Sequence, residues 1–376
     1  MSAITNGQQR VTSVAAAAPQ LSLLPGAEGA FDQVMLCKAV IALTPDVSTY
    51  VLEPLTPQNF TFEPGQYVVL TVEINGEQHE RCYTISSPPT RPHLLTITVK
   101  RVPNGVVSNW LHDNFRVGQQ TLVRGPLGEF SLVNYPALKY LFLSAGSGVT
   151  PMLSMTRTLA DLAEDCNVAF VHSARSPVDI IARSELATLA GAGLALAVTN
   201  ICEDDSPEER WTGQRGRLTA PLLAASVPDV AAREVFICGP PQYMRAAHAV
   251  LAELGVDPGQ VHQESFTLEV PAVPLTAVPD APAEVEREAG TASLHFRRSG
   301  IDVVCPPGTT VLEAATAAGV VIRSSCGQGL CGTCKSDLVS GQVDMQHAGG
   351  IRPREIAAGK FLPCCAYPNG DLVVDA

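Results

Sequence analysis

Near the C-terminal end of the chain, four cysteines have the spacing of a redox centre. Cys326, Cys331 and Cys334 form a C-x4-C-x2-C loop, and Cys364 follows in Leu362-Pro363-Cys364. Three thiolates on one tight loop and a remote fourth match the spacing that holds a [2Fe–2S] cluster. Zinc usually takes two separated C-x2-C-like pairs instead. Gly327, Gly329 and Gly332 strip side chains from the loop, so backbone amides can approach the sulfurs and stabilise added negative charge. Cys365, beside Cys364, reads as a small buried residue.

Two further constellations fit redox cofactors. Arg81-Cys82-Tyr83-Thr84 supplies a cation for a phosphate, a ring to stack on a planar heterocycle and a hydroxyl for a ring nitrogen. On its own this tetrapeptide also suits an ordinary strand with an exposed arginine. It is followed by Gly105-Val106-Val107-Ser108, a glycine-to-helix turn whose free amides suit a pyrophosphate. Farther on, Ser144-Ala145-Gly146-Ser147-Gly148-Val149-Thr150-Pro151 follows an apolar run and opens a helix. There Gly146 and Gly148 admit a diphosphate, Thr150 caps the helix and Pro151 sits in its first turn. The run Glu203-Asp204-Asp205, continuing to Glu208-Glu209, repels a ribose 2′-phosphate and accepts from a 2′-hydroxyl, or else is a solvated loop. Arg175 stands within reach of a dinucleotide.

These residues need three kinds of support. From Phe31 to about Val133, short β-type runs alternate with turns; Gln66–Val72 and Cys82–Ile85 flank an Asn75-Gly76 hairpin signal, and Leu94–Val99 follows. That texture predicts a small antiparallel β-barrel over 31–133. Over 134–266, apolar strands at Tyr140–Leu143, Val168–Val171, Leu194–Val198 and Val235–Ile237 alternate with helical segments near 151–163, 183–190, 217–226 and 241–254. This is the pattern of a doubly wound parallel sheet in an α/β domain. Residues 267–290 are rich in proline, alanine and glutamate and read as a linker. Residues 291–376 form a third compact unit that opens with a hairpin at Ser299-Gly300, and residues 1–30 read as a mobile tail.

Composition narrows the partners. Lys and Arg number 25 against 37 Asp and Glu, a net charge of −12, which argues against nucleic acid or an anionic membrane. No apolar run approaches the roughly 18 residues of a membrane helix. No basic segment precedes an apolar core at the N-terminus, so a signal peptide is not expected and a cytoplasmic location is. In a reducing compartment the 11 cysteines are ligands and packing residues rather than disulfides. In residues 291–376, seven Lys/Arg balance seven Asp/Glu, so the whole −12 lies in the first 290 residues.

Arg81-x-Tyr83-Thr84 and Gly105-x-x-Ser108, with Cys238-Gly239-Pro240-Pro241-Gln242-Tyr243-Met244, resemble the motifs of the ferredoxin–NADP reductase-like flavoproteins. Residues 291–376 resemble a plant-type, β-grasp-like α+β ferredoxin domain, and this resemblance makes Cys364 the fourth cluster ligand. The flavoprotein resemblance implies that FAD is held by Arg81, Cys82, Tyr83, Thr84, Val99, Gly105, Val106, Val107 and Ser108. The dinucleotide would meet Gly146, Gly148, Thr150, Pro151, Arg175, Cys238, Gly239 and Pro240, with Phe266 laid against the flavin. Thr84, Cys238 and Glu264 would be the catalytic residues where nicotinamide meets flavin.

The domain order is similar to that of reductase components of glycine-betaine-type Rieske oxygenases, including stachydrine demethylases. Lys100-Arg101-Val102-Pro103, Ser108–Asp113 and His347–Arg352 also carry this likeness. The resemblance implies a path from NADH through FAD and the [2Fe–2S] cluster to a separate oxygenase, since the chain has no Cys-x-His pair for a Rieske centre. A similar protein, the NADH reductase of hybrid cluster protein, offers an alternative. A metal-binding adaptor with decayed flavin motifs is the non-enzymatic one. No acid–base constellation is required, and His112, His172 and His262 read as ordinary polar residues.

Overall fold

The computed structural model describes residues 31–264, 291–320, 322, 329, 334–347, 351 and 353–376. Its first unit is built from β1 (Phe31–Thr44), β2 (Val47–Pro54), β3 (Tyr67–Ile74), β4 (Glu77–Thr84), β5 (Leu95–Lys100) and β6 (Gln120–Leu127). They pair antiparallel in the order β4-β3-β6-β1-β2-β5. Ile85, just past β4, bridges Ile97 of β5, so the two edges meet and the sheet curls like a barrel. Asn75 and Gly76 have φ of 53° and 83°, the left-handed pair that a two-residue type I′ hairpin needs. That turn fixes the register Tyr67↔Thr84 and Leu70↔Arg81. It thereby brings Arg81 to Thr84 to the end of β4. Tyr50, Phe62, Leu70, Ile97 and Phe115 fill the interior, and α1 (Val106–Asn114) packs Val107 and Leu111 against it.

The second unit carries β7 (Lys139–Ala145), β8 (Asn167–Ala174), β9 (Ala195–Cys202), β10 (Gln214–Arg215), β11 (Glu234–Cys238) and β12 (Val261–Glu264). All are parallel, in the order β10-β9-β8-β7-β11-β12. Alternation along the strands builds two cores, as a parallel sheet covered on both faces requires. Tyr140, Phe142, Phe170 and Phe236 meet α2 (Val149–Asp161) and α3 (Arg183–Ala190). Leu141, Leu143, Val171 and Ile237 meet α4 (Ala220–Ser226) and α5 (Pro241–Glu253). Two helix starts differ from the sequence reading. α2 begins at Val149 with Gly148 as its cap, so Thr150 is not the cap and instead donates its hydroxyl to Ser147 O at 3.0 Å. α4 begins at Ala220, where the Thr219 hydroxyl accepts from Leu222 N.

α2 also clamps the sheet to the barrel. Ser154 Oγ donates to Ser87 O at 2.8 Å, and Asp161 accepts from Arg91 at 2.6 and 3.0 Å. Arg157 donates to Ser86 O and pairs with Glu185 at 2.7 Å.

The third unit has β13 (Ala292–Phe296), β14 (Ile301–Cys305), α6 (Val311–Ala317), β15 (Ser336–Ser340), β16 (Val343–Met345), α7 (Pro353–Ala357), β17 (Lys360–Phe361), β18 (Ala366–Pro368) and β19 (Leu372–Asp375). A mixed sheet β14-β13-β19-β15-β17 lies beside a β16-β18 ribbon. α6 starts on a capping box between Thr310 and Glu313 and buries Val311 and Ala315 with Leu294, Phe296 and Val374. Among the described residues, no helix is long and apolar enough to cross a membrane.

Candidate active site

Two adjoining cavities lie where the barrel meets the parallel sheet, and Lys100 lines both. The first encloses about 430 Å³ and is lined from the barrel by Arg81, Cys82, Tyr83, Thr84, Val99 and Gly105–Ser108. Ser147 and Thr150 close it from the sheet side. The Arg81 guanidinium donates to Glu80 O at 2.7 Å, and no described carboxylate pairs with it. Ser108 Oγ accepts from Val102 N at 3.2 Å and so locks the turn before α1. Asn109 N is the first α1 amide to find a helical acceptor, Gly105 O, which leaves the amides of 106–108 free for an anion. An unpaired cation, free amides and the Tyr83 ring on one cavity fit a flavin dinucleotide.

Behind this cavity Thr84 is 3% and Glu264 5% exposed, and Thr84 Oγ1 and Glu264 Oε2 are buried without a hydrogen-bond partner. Burial pushes the Glu264 carboxyl up to about 8, and the Thr84 hydroxyl pulls it back only partly; their geometry falls short of a hydrogen bond. Orphaned polar atoms of this kind are costly unless something else satisfies them, as the edge of a flavin would. Cys238 is fully buried, and burial, reinforced by the Glu264 carboxylate, raises its thiol well above the ordinary value. It packs as a neutral thiol. Ser265 and Phe266 lie outside the described residues.

Strand register exposes a feature that the sequence did not. Asn200↔His172, His172↔Ser144, Ser144↔Cys238 and Cys238↔Glu264 are successive partners across β9, β8, β7, β11 and β12. Partners in register share a face, so one polar row crosses the sheet. His172 Nδ1 lies 2.8 Å from Ser144 Oγ, and burial drives the His172 pKa down to about 4. His172 is therefore a neutral, fully buried side chain bonded to Ser144 within the sheet. Nothing in the spacing of the scattered histidines signals this; pairing register alone reveals it.

The second cavity, about 310 Å³, lies across the C-terminal ends of the parallel strands. Its lining includes Ala145, Gly146, Arg175, Glu203, Arg217 and Pro240. The glycine loop and the Cys238-Gly239-Pro240 turn touch: a Cβ on Gly148 would come within 2.2 Å of Cys238 O. Arg175 pairs with Asp179 at 2.7 Å and, from the barrel, Asp46 at 3.0 Å. The acidic run is not a uniform repelling loop. Asp205 pairs with Arg215, and Glu209 with Arg183 at 2.6 Å; of the acidic run only Glu203 lines the cavity, where Arg217 meets it at 3.2 Å.

In the third unit, Cys334 and Cys364 are buried in one cluster with Ile351, Leu362 and Cys365. Gly329 N donates to Cys364 Sγ at 3.2 Å, the amide-to-sulfur contact expected of a cluster loop. Gly329 has φ of 67°, and a Cβ there would lie 2.5 Å from Cys365 Sγ. Cys365 is 8% exposed and donates to Leu362 O at 3.6 Å. Two of the predicted ligands, Cys326 and Cys331, lie outside the described residues. The glycine-supported, buried thiols that are described fit an iron–sulfur cluster.

Comparison with known proteins agrees with this geometry. Residues 36–132 match the oxidoreductase FAD-binding domain family, 142–249 the oxidoreductase NAD-binding domain family, and 294–369 the 2Fe-2S iron-sulfur cluster binding domain family. The chain is 43% identical over 344 residues, 90% of its length and 94% of the relative's, to the glycine betaine monooxygenase reductase subunit of Pseudomonas aeruginosa. It is 40% identical to the stachydrine N-demethylase reductase subunit Stc4 of Rhizobium meliloti, covering 88% of this chain and 93% of that one. It is 34% identical to NADH oxidoreductase HCR of Escherichia coli, covering 88% and 94%. Among solved structures, the flavohem-like FAD/NAD binding domain of nitric oxide dioxygenase from Vibrio cholerae superposes with a TM-score of 0.56. That match is 25% identical and spans 62% of this chain and 98% of that domain. The chain thus belongs to the family of oxidoreductases, reductase components of oxygenase systems among them, that join an FAD-binding domain, an NAD-binding domain and a 2Fe–2S domain in one polypeptide.

Proposed function

We propose that this chain draws electrons from NADH and delivers them, through FAD and a [2Fe–2S] cluster, to a separate Rieske-type oxygenase that demethylates a betaine-like quaternary amine in the cytoplasm. The observation that carries the reading is the pair of adjoining cavities, one suited to a flavin and one to a dinucleotide, with Lys100 common to both. Similarity to reductase subunits of glycine betaine and stachydrine systems supports the partner class. Proposed module limits are 31–133, 134–266 and 291–376, with 267–290 as linker and 1–30 as a tail.

In this reading Arg81 and the amides of Gly105–Ser108 bind the flavin phosphates, Tyr83 and Val99 flank its ring, and Cys82 lines the slot. Thr84 and Glu264 hold the ring edge. Gly146 and Arg175 receive the dinucleotide phosphates, Gly148 and Pro151 shape the loop that carries Gly146, and Thr150 stands on the flavin side of that loop. Cys238, Gly239 and Pro240 wall the nicotinamide, and Phe266 covers the flavin. Cys326, Cys331, Cys334 and Cys364 ligate the cluster. When bound, the flavin supplies the conversion of a two-electron hydride into single electrons for the cluster. The protein's task is to align these groups and keep water out with a wall of neutral buried side chains.

The test is electron delivery. Purified protein should show flavin and iron–sulfur absorption, and NADH should drive turnover of a betaine-type Rieske oxygenase. Cys331→Ser is expected to abolish cytochrome c reduction while leaving NADH–ferricyanide activity. Loss of both activities would show that the modules are divided wrongly. A colourless protein would remove the reductase reading, and reduction of hybrid cluster protein without support of any Rieske oxygenase would move the partner to that class.

A further inference from the structure

We propose that Asp46, in the turn between β1 and β2, is a positioning residue that competes with the coenzyme's diphosphate for Lys100 and Arg175 and so keeps the dinucleotide readily exchanged. The inference rests on reading the second cavity as a nicotinamide-dinucleotide site, and it adds what limits the grip of that site.

Backbone pairing holds the Asp46 carboxylate in one place. β1 and β2 close on Thr44↔Val47, and Val47↔Lys100 sets their turn beside the end of β5. Arg101 N donates to Asp46 O at 2.7 Å, and Thr44 Oγ1 donates to Asp46 Oδ1 at 3.0 Å. Oδ2 is left to face two cations from different units. Lys100 Nζ of the barrel lies 3.4 Å from it. Arg175 Nη2, just past β8 of the parallel sheet, lies 3.0 Å from it. Among the described ion pairs, Asp46 is the carboxylate common to both cations.

The same two cations face the place where a diphosphate would lie. Lys100 and Arg175 line the dinucleotide cavity, whereas Asp46 lines neither cavity. A Cβ on Gly146 would come 3.8 Å from Lys100 Nζ, so the ammonium stands beside the glycine loop. A diphosphate on that loop can draw Lys100 and Arg175 only by loosening their hold on Oδ2, and the carboxylate repels it as well. Asp179 has a different part. It lies on Arg175's own unit, 2.7 Å from it, with Ser176 Oγ donating to it at 2.9 Å, and its described ion pair is with Arg175 alone. Nor does the arrangement of the two units hang on Asp46, since α2 ties them through Ser154 and Asp161. Asp46 thus acts on the coenzyme through its cations and weakens the hold on reduced and oxidised forms alike. That suits a site which must release the spent dinucleotide at every turnover.

The experiment uses the flavin-loaded full chain and Asp46→Asn, which keeps an acceptor for Thr44 but removes the charge. The same substitution is also made in an Arg175→Ala background. Affinities for ADP-ribose and NAD+ are read by calorimetry, and KM and kcat for NADH by ferricyanide reduction. Asp46→Asn is expected to tighten ADP-ribose and NAD+ about tenfold and to lower the NADH KM by a similar factor, with no rise in kcat. In the Arg175→Ala background the gain is expected to shrink, because only Lys100 is then freed. Unchanged or weaker binding by Asp46→Asn, with wild type still binding, would overturn the proposal alone; weaker binding would make Asp46 a brace of the site. A gain of equal size without Arg175 would overturn it too. Wild-type protein that binds neither ADP-ribose nor NADH would overturn the dinucleotide reading together with it.

Discussion

Glu264 shows how one side chain can couple cofactor chemistry to stability. Its carboxyl, raised from 4.5 to about 8 by burial, holds its proton more tightly in the folded chain than in the unfolded one. The stabilisation from that proton is therefore fully present below about pH 4.5 and is lost as pH rises toward 8. Its steepest slope is about 1.4 kcal/mol per pH unit. Glu264→Gln keeps the shape and removes the titration. Relative to the variant, flavin-free wild type is expected to lose a few kcal/mol between about pH 5.5 and 8.5. Urea unfolding at the two pH values measures this, and a wild-type-to-variant gap that does not change with pH would show that the carboxyl is not held neutral. The types of Arg81, Tyr83 and Thr84 point to cofactor contacts, and all three come to line one cavity. Ser144 and His172 were not legible in this way, because a buried polar pair acquires meaning only when β7 and β8 are placed in register.

At the scale of elements, two turns must fit against one another for the sheet to present a usable edge. The loop from β7 to α2 meets the turn after β11 so closely that a Cβ at Gly148 would sit 2.2 Å from Cys238 O and 2.6 Å from Gly239 N. The neighbouring atoms are backbone, so no rotamer change relieves the overlap. Gly148→Ala is expected to destabilise the NAD-binding unit by roughly 1–3 kcal/mol, in the range for overpacking with backbone shifts, and to weaken NADH binding. Gly191→Ala is the control: its nearest contact is Thr188 O at 3.5 Å, and it should change the urea midpoint very little. Equal effects of the two substitutions would refute the packing argument. Strand and helix types in this unit were readable from apolar runs of the right length. The start of α2 was not: Thr150 followed by Pro151 imitates a cap and first turn, but the helix begins at Val149 with Gly148 as its cap, in a loop that presses against Cys238. The acidic run was readable as charge only, since sequence does not show the arginines that fold back onto Asp205 and Glu209 and leave Glu203 on the cavity rim.

For the whole molecule, charge is divided unevenly among the three units. The net −12 belongs to the first 290 residues, while residues 291–376 carry seven basic and seven acidic groups. Many of the latter are paired on the surface: Arg297 and Arg298 with Asp375, Lys335 with Glu355, and Lys360 with Asp337. A balanced, internally paired surface projects little field beyond a Debye length of about 8 Å at physiological salt. It therefore cannot steer a partner from a distance in the way a strongly acidic surface steers a basic one. Transfer from the flavin to the cluster needs no steering either, because both units lie on one chain, which raises their effective concentration. Turnover of the oxygenase by this reductase is accordingly expected to change by less than about threefold between about 0.05 and 0.5 M salt. The measurement is NADH-dependent product formation at sub-saturating oxygenase. A fall of tenfold or more across that range would mean that a local charged patch, rather than short-range contact, governs docking.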